Sequence, residues 1–259
     1  MRLLTVALLF SAVPSLSFAR ADDRPFVFVQ NAAGPVDRSV DAFYTLNVGA
    51  SSSGAIRFSD PTVARPGTVQ QIGAQAGLLP FLSFGAFGLV APGSPTGQGG
   101  TGGGYVHLTA LRPRDGSTNG FTLGFTLLSV REFEGAFAFS LFNSLSYAHD
   151  AFLVTGNVQL ERRFASGADP LDVLVRFGVG YDVLRGRPSS LRFGVEYVGQ
   201  DLESYVEHDE AEGGAVHLVA PSVSASLRER RLDVGFAPGV LLSAGRVGFG
   251  SRLLVAWRF

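Results

Sequence analysis

The fold is decided by residues 246–259, which end the chain and read RVGFGSRLLVAWRF. From Val247 onward the odd positions are mostly large and apolar and finish on Phe259, whereas the even positions carry glycine, alanine, leucine and arginine. A period of two is the pattern of a β-strand whose two faces meet different surroundings. The stretch therefore predicts a strand with one greasy, aromatic face and one small or charged face.

The start of the chain carries the pattern of an export signal. Arg2 precedes an apolar run at 3–13, and small-x-small cleavage sequences follow at 17–19 and 19–21. We therefore expect residues 1–21 to be a cleaved signal peptide. A buried first helix is the alternative interpretation of the same apolar run.

Together, the export signal and the final strand resemble Gram-negative outer-membrane β-barrel proteins of the porin-like class. That class typically ends on phenylalanine, with apolar residues at alternate positions before it. The resemblance implies a place in the cell outer membrane, contact with its lipid, and assembly by the barrel-assembly machinery, with Trp257 and Phe259 as the assembly signal. It points to no specific subfamily and to no particular solute.

Composition narrows the functions further. The 259 residues include no cysteine, which excludes disulfides, thiolate metal sites and a cysteine nucleophile. The net charge is −1, so we expect no nucleic-acid partner. The most apolar internal run, at 78–91, contains Pro80, Gly85 and Gly88 and is shorter than the roughly 20 residues of a spanning helix. A membrane form would therefore have to be a closed barrel.

Two-faced segments recur along the chain. They are predicted at 105–112, 121–132, 136–148, 152–164, 171–184, 191–203, 216–228, 232–242 and 247–259, with weaker candidates at 42–50, 54–59, 68–78 and 81–91. Bacterial single-chain barrels have an even number of strands, so one weak candidate is wrong or 26–30 adds a strand. We predict an all-β fold, a closed antiparallel transmembrane β-barrel of about 12 strands, with 10 or 14 as alternatives. A secreted soluble β protein is the competing interpretation.

The predicted organisation is a signal peptide at 1–21, a periplasmic N-terminal segment at 22–41 and the transmembrane barrel at 42–259. If both termini are periplasmic, as the resemblance implies, counting back from the last strand assigns every connection to one side. Periplasmic turns then fall at 113–120, 185–190 and 229–231, and extracellular loops at 92–104, 165–170 and 204–214. The longer connections lie outside, as this architecture requires.

Charged residues concentrate on the predicted inner face. Pairing the strands that flank Arg187 keeps the inner faces together and places Asp182 opposite Arg192 and Glu196 opposite Gly178. Such a lumen could be a charged constriction that selects polar solutes, or a salt-bridged interior that fills a narrow barrel. We predict that the lumen is lined by charged side chains, namely Glu161, Arg163, Arg176, Asp182, Arg192, Glu196 and Arg228.

Two prolines fall inside predicted strands. Proline cannot donate to a β-ladder and belongs at bulges and edges. A hairpin centred on Arg230 would place Pro221 beside Gly239 and Pro238 beside Ser222. We therefore predict one bulge or kink shared by these two strands.

Three other motifs have weaker functional interpretations. The acidic stretch at 207–212 could hold a divalent cation, but it lacks the calcium-hand pattern and is better explained as a solvated loop. The glycine-rich stretch at 97–104 lacks the phosphate-loop lysine and is interpreted as a mobile loop, with inward folding as the alternative. Four histidines are present, but no serine stands in a G-x-S-x-G elbow.

The function we expect is a channel that passes small polar solutes through a charge-lined lumen. A closed structural or partner-binding barrel is the alternative, and an outer-membrane hydrolase is less favoured. We expect no enzymatic activity, no catalytic residues, no cofactor and no metal site.

Overall fold

A computed structural model describes residues 26–30, 32–34, 38–50, 67–92, 100–113, 119–132, 135–164, 171–184, 189–205, 215–227, 231–243 and 246–259. Within these residues the chain forms twelve antiparallel strands that close into one barrel. The strands are β1 (Val40–Ala50), β2 (Gly67–Leu79), β3 (Leu82–Val90), β4 (Gly100–Leu111), β5 (Gly120–Arg131), β6 (Phe137–His149), β7 (Phe152–Phe164), β8 (Asp172–Asp182), β9 (Ser190–Gln200), β10 (Val216–Leu227), β11 (Leu232–Ser243) and β12 (Arg246–Arg258). A short 3-10 helix, Leu202–Tyr205, follows β9. The predicted closed barrel of 12 strands is confirmed.

Each strand pairs with its neighbours in sequence, and β1 closes the ring by pairing with β12. The closing ladder runs from Asp41 opposite Arg258 to Val48 opposite Ser251. A closed ring gives every strand two hydrogen-bonded neighbours, so no free edge is left to be satisfied by water. This is the only form in which a sheet satisfies its backbone inside lipid.

The outer surface of the ring is apolar. In β6 the buried and exposed positions alternate almost throughout, with phenylalanine and leucine outside and serine and alanine inside. Large apolar side chains are openly exposed around the ring, for example Ile72 at 65 % and Phe249 at 55 %. A continuous apolar band of this kind is the lipid-facing surface of a membrane-spanning barrel. Among the described residues, no helix has the length and apolar character needed to cross a membrane.

Aromatic pairs lie on the outer surface near both ends of the barrel. At the end where β1 begins and β12 ends, the rings of Phe121 and Tyr147 are 4.6 Å apart. At the opposite end, Phe139 and Phe164 meet edge to face at 5.7 Å. Aromatic rings at two levels are the girdles that outer-membrane barrels place at the two membrane interfaces.

The connections differ between the two ends. Turns such as Pro80–Phe81 and Asp150–Ala151 join strands at the end where β1 begins and β12 ends, whereas the widest intervals between strands, β1 to β2 and β9 to β10, fall at the other end. The short turns lie at the end that the sequence analysis assigned to the periplasm, and the wide interruptions lie at the end that it assigned to the outside. Which end faces the outside stays a prediction. The predicted strand at 54–59 lies outside the described residues.

The prediction that residues 97–104 form a loop is wrong for its second half. β4 already begins at Gly100, and its glycines pair with both β3 and β5. On the inner face, Gly103 leaves room for a neighbouring ring, because a Cβ on it would lie 2.8 Å from Cζ of Phe87. An aromatic ring that covers strand glycines replaces the packing they lack.

The predicted register between β8 and β9 is confirmed. Asp182 lies opposite Arg192, and Gly178 lies opposite Glu196. Because the side-chain period is two, this register keeps both strands' polar sets inside the ring.

The predicted register between β10 and β11 is wrong by one residue. Leu227 pairs with Leu232, so the turn is centred before Arg230 and Pro221 lies level with Pro238. Between Val219 and Val223 the described β10 has no partner on β11, although β10 remains paired with β9 and β11 with β12 through this height. The predicted shared interruption is therefore present as a gap in the ladder, with the register unchanged on either side and no bulge.

Candidate functional site

Residues 26–30 and 32–34 lie inside the barrel, and we refer to them as the strap. The four side chains from Phe26 to Val29 are only 3–4 % exposed, and Ala32 is fully buried. The alternative that 26–30 adds a wall strand is therefore wrong. We expected residues 22–41 to form a segment in the periplasm. The strap, which belongs to this segment, lies inside the lumen instead, and the barrel wall begins at Val40.

Glu196 on β9 holds one end of the strap. Its Oε1 accepts the main-chain N–H of Val27 at 2.9 Å, and its Oε2 accepts those of Phe28 at 2.5 Å and Val29 at 3.0 Å. A carboxylate that accepts consecutive main-chain N–H groups makes charge-assisted hydrogen bonds, which are stronger than neutral ones. Since the strap has no β-sheet partner here, Glu196 satisfies donors that would otherwise be buried and costly.

Two further wall residues form hydrogen bonds with the main chain of the strap. Arg252 on β12 donates to the carbonyl oxygen of Val27 at 3.1 Å. Asn157 on β7 both accepts from the N–H of Gln30 and donates to its carbonyl oxygen, each at 2.8 Å. These contacts fix the path of the backbone and not only its side chains.

The other end of the strap reaches the opposite part of the wall. Ala32 donates to Ser146 at 3.4 Å, and its carbonyl oxygen lies 3.2 Å from Nε2 of His107. The N–H of Gly34 donates to Thr109 at 3.2 Å. His107 and Thr109 are on β4 whereas Glu196 is on β9, so the strap crosses the lumen from one wall to the other.

Apolar packing reinforces these contacts. Val27 and Phe28 cover an apolar patch on the inner faces of β9, β10 and β11, formed by Val198, Val216, Leu218, Ala220, Ala237 and Leu241. Phe26 and Val29 pack against Ala148 and Leu153. Burying a valine or phenylalanine side chain contributes about 1.5–3 kcal/mol, so the strap is a strongly held part of the interior.

Cationic side chains cover the strap's rings. The Arg192 guanidinium lies 5.3 Å from the centroid of Phe26, and that of Arg252 lies 4.8 Å from the centroid of Phe28. Contacts of this length fall within the range of cation–π attraction.

The predicted lumen residues that the structure describes all point inward, but they are engaged with one another or with the strap. Arg163 pairs with Asp172 at 3.2 Å, and Asp182 pairs with Arg192 at 3.1 Å. Arg176 donates to Gln159 at 2.9 Å. Arg228 lies outside the described residues. These charges are therefore held in fixed partnerships with neighbouring groups.

A cavity of about 340 Å³ remains beside the strap. Part of its wall is a hydrogen-bonded chain of polar groups: Arg258 donates to Asp41 at 2.9 Å, Gln75 donates to the same carboxylate at 3.3 Å, and Tyr105 donates to Gln75 at 2.5 Å. Its other polar and charged lining residues include Thr45, Gln71, His107, Asp233 and Arg252. The described predicted set overlaps with this lining only at Arg176.

Sequence reasoning missed the cavity residues for a physical reason. Arg252 and Arg258 stand at even positions of the final strand, so their inward direction was readable from the alternation. Their partners were not readable, because the pairing of β1 with β12 joins the two ends of the chain and no turn fixes its register.

The histidines take different positions. His107 also contacts Thr126 at 2.7 Å in the wall, His149 is exposed 3.9 Å from Asp150, and His217 contacts Tyr197 at 2.9 Å on the outer surface. His208 lies outside the described residues, as does the acidic stretch at 207–212.

An acidic group lies at the rim of the barrel where β8 begins and β9 ends. Oxygens of Asp172, Asp201 and Glu203 lie within 4.8 Å of one another. Burial raises the pKa of the Glu203 carboxyl, and the neighbouring carboxylates Asp172 and Asp201 raise it further, against the lowering effect of main-chain N–H donors. One of those donors is Val173, 2.6 Å from Oε2.

No family model matches the sequence, and no curated protein matches it. The fold resembles solved outer-membrane channels. For the KdgM porin the TM-score is 0.51 at 10 % identity, covering 85 % of this chain and 99 % of that chain. For the NanC porin it is 0.53 at 8 % identity, covering 84 % and 98 %. For an outer membrane channel from Pseudomonas putida F1 it is 0.52 at 13 % identity, covering 92 % and 100 %. At these identities the likeness concerns the fold, which is that of an outer-membrane porin-like barrel.

Proposed function

We propose that the protein is an outer-membrane channel that passes small polar solutes beside the strap. One observation carries the proposal: a cavity of about 340 Å³ is left between the strap and a wall in which polar and charged side chains alternate with apolar ones such as Phe43, Phe87 and Leu128. The fold shared with solved porins supports it. Two carboxylates, three guanidinium groups, four amides, an imidazole and a phenol are among the groups that line this space, so polar groups replace part of a solute's hydration as it passes.

The charge pair between Asp41 and Arg258 gives the route an electrostatic character that can be tested. Neutralising Arg258 leaves the Asp41 carboxylate without its cationic partner, so Arg258→Gln is expected to shift the channel toward cations. Asp41→Asn is expected to shift it toward anions for the converse reason. The measurement is the reversal potential of single channels in a planar bilayer under a salt gradient.

The control is Arg162→Gln. Arg162 lies on the outer surface, with its guanidinium 5.5 Å from the Phe164 ring, and its loss is expected to leave the reversal potential unchanged. All variants must first show the heat-modifiable gel mobility of a folded barrel. Opposite shifts for the two cavity variants support the route; shifts of equal sign, or none, contradict it.

The strap itself favours the second candidate, a closed barrel whose extracellular loops bind a partner. A wall-to-wall segment inside the ring is what a structural plug would look like. Correctly inserted wild-type protein that carries no current would overturn the channel and favour the closed barrel.

A further inference from the structure

We propose that the strap is the constriction of the channel and that Glu196 is the positioning residue that holds it across the lumen. The proposal rests on the channel function proposed above. It assigns to one buried carboxylate the control of how wide the route is and which charges a solute meets.

The hydrogen bonds of Glu196 support this assignment. In the part of the chain that the structure describes, every hydrogen bond that Glu196 accepts comes from the strap. Glu161 presents the contrast: it is equally buried, but its donors Ser140 and Gln159 belong to the wall. Glu196 therefore contributes to holding the strap, whereas Glu161 contributes to the wall.

The strap's own chemistry fits a constriction. Its described residues carry no formal charge, and they cover Glu196 on β9 and Arg252 on β12. Arg252 interacts electrostatically with Glu196 and with Arg176. While the strap is docked, the Glu196 carboxylate faces its main chain, whereas Arg252 both contacts the strap and lines the cavity. If the strap leaves, the Glu196 carboxylate faces the solute as well. Strap position therefore sets both the free cross-section and the charge of the route.

The wall of β11 offers a way to lock the strap in place. A Cβ built on Gly235 lies 2.9 Å from Cγ2 of Val27, close to the roughly 3 Å that separates a sulfur from the opposite Cβ in a disulfide. The chain contains no cysteine, so Val27→Cys with Gly235→Cys introduces one defined pair. Oxidation is expected to tether the strap, and reduction to release it.

The first experiment measures strap release without current. Val29→Cys places a thiol on a buried strap position, and its rate of maleimide labelling in the folded barrel reports how often the strap leaves. Adding Glu196→Gln is expected to raise that rate at least about tenfold, because charge-assisted hydrogen bonds to the strap are lost. Asp172→Asn is the matched control: it neutralises another buried inner-face carboxylate, one that pairs with Arg163 on the wall. It is expected to leave the labelling rate unchanged.

The second experiment measures current. Glu196→Gln is expected to raise single-channel conductance severalfold and to shift the reversal potential toward anions, because a carboxylate is gone and the guanidinium of Arg252 faces the solute. The same variant carrying the oxidised 27–235 disulfide is expected to return to the lower conductance, and reduction to restore the higher one.

The outcomes separate the two proposals. Faster labelling together with reversible, lock-sensitive current supports the strap as the constriction. Equal labelling in the Glu196→Gln and Asp172→Asn backgrounds overturns Glu196 as its positioning residue. Faster labelling with unchanged conductance overturns the strap as the constriction. Silence from inserted wild-type and variant protein alike, whatever the labelling shows, overturns the channel function and with it the proposal built on it.

Discussion

Acidic side chains that leave bulk water in this barrel are held in different ways by the donors around them. Glu161 accepts hydrogen bonds from Ser140 and Gln159 of the wall, at 2.7 and 2.9 Å. Asp182 forms a salt bridge with the guanidinium of Arg192. Glu196 accepts hydrogen bonds from main-chain N–H groups of the strap, which is more than 160 residues away in sequence. Each charge is stable inside because donors replace its water.

Glu203 is expected to give the rim where β8 begins and β9 ends a pH dependence. Its raised pKa means that the folded rim binds a proton more readily than the unfolded chain, so the contribution to stability is fully present in acid. It is lost as the pH rises from the ordinary glutamate range through the raised pKa. We expect the Val173 amide, which donates to Glu203, to lose protection from hydrogen exchange over that interval, after correction for the intrinsic rate.

Glu203→Gln is the control for this titration. A glutamine keeps an acceptor for Val173 but has no proton to lose, so the pH trend is expected to flatten while the amide of Leu160, inside the β6–β7 ladder, stays protected throughout. An unchanged trend in the variant would assign it to another group.

At the level of single residues, alternation predicted the direction of side chains well. The described charged residues expected in the lumen do point inward, and Asp182 does face Arg192. The sequence did not predict which groups form hydrogen bonds or ion pairs with each charged side chain. Partners such as the strap for Glu196 come from remote segments, and a period of two carries no information about them.

Strand elements in this barrel depend on glycines that accept rings from neighbouring strands. Tyr105 on β4 lies over Gly85 on β3, and Phe43 on β1 lies over Gly73 on β2. Each glycine leaves room on the inner face for a ring that a side chain would displace. The paired glycine and ring replace cross-strand packing between two ordinary side chains.

Gly85→Ala tests this packing. The new methyl group would overlap the Tyr105 ring, which would have to move and break its hydrogen bond to Gln75. We expect a loss of about 1–3 kcal/mol in the free energy of unfolding, the usual range for overpacking, measured by urea titration in detergent. Gly88→Ala on the same strand is the comparison, since its nearest neighbour would be 3.8 Å away, and it should unfold at or above the wild-type urea midpoint. Equal destabilisation by the two changes would reject the packing explanation.

The strap shows where element prediction from sequence stopped. Its run of phenylalanine and valine from Phe26 to Val29 is apolar at four successive positions, unlike the two-faced strands of the wall. A segment that is buried on every side has no polar face. The unbroken apolar run was therefore the sequence feature that could have indicated a segment inside the barrel. The β10–β11 register failed for a separate reason: it depended on which residue was taken as the centre of the turn, and a shift of half a position moves every partner by one.

For the whole molecule, the last residue raises the question of assembly. Phe259 is 75 % exposed, and its only described anchoring contact is the N–H that it donates to the carbonyl oxygen of Val40 at 2.9 Å. A side chain this exposed contributes little packing to the finished barrel. Its expected part, with Trp257, in recognition by the barrel-assembly machinery therefore stays a prediction.

Deleting Phe259 distinguishes recognition from stability. We expect the shortened protein to accumulate severalfold less in the outer membrane of cells, while its urea midpoint after refolding from denaturant in detergent remains close to wild type. The two quantities are steady-state folded barrel, measured by heat-modifiable mobility, and equilibrium unfolding. A fall in both would place the residue in the stability of the fold and not in its delivery.

The pairing of Asp41 with Arg258, together with the hydrogen bond between Phe259 and Val40, brings the two ends of the barrel wall side by side. The wall is thus a ring, and its first strand is first only in the order of synthesis. A short peptide joining 259 to 38 and new ends opened in an extracellular connection would give a circular permutant with every ladder intact. In such a molecule the strap would no longer be joined to β1 and would be attached elsewhere or lost. The place where the natural chain leaves the ring open therefore decides which segment reaches the interior.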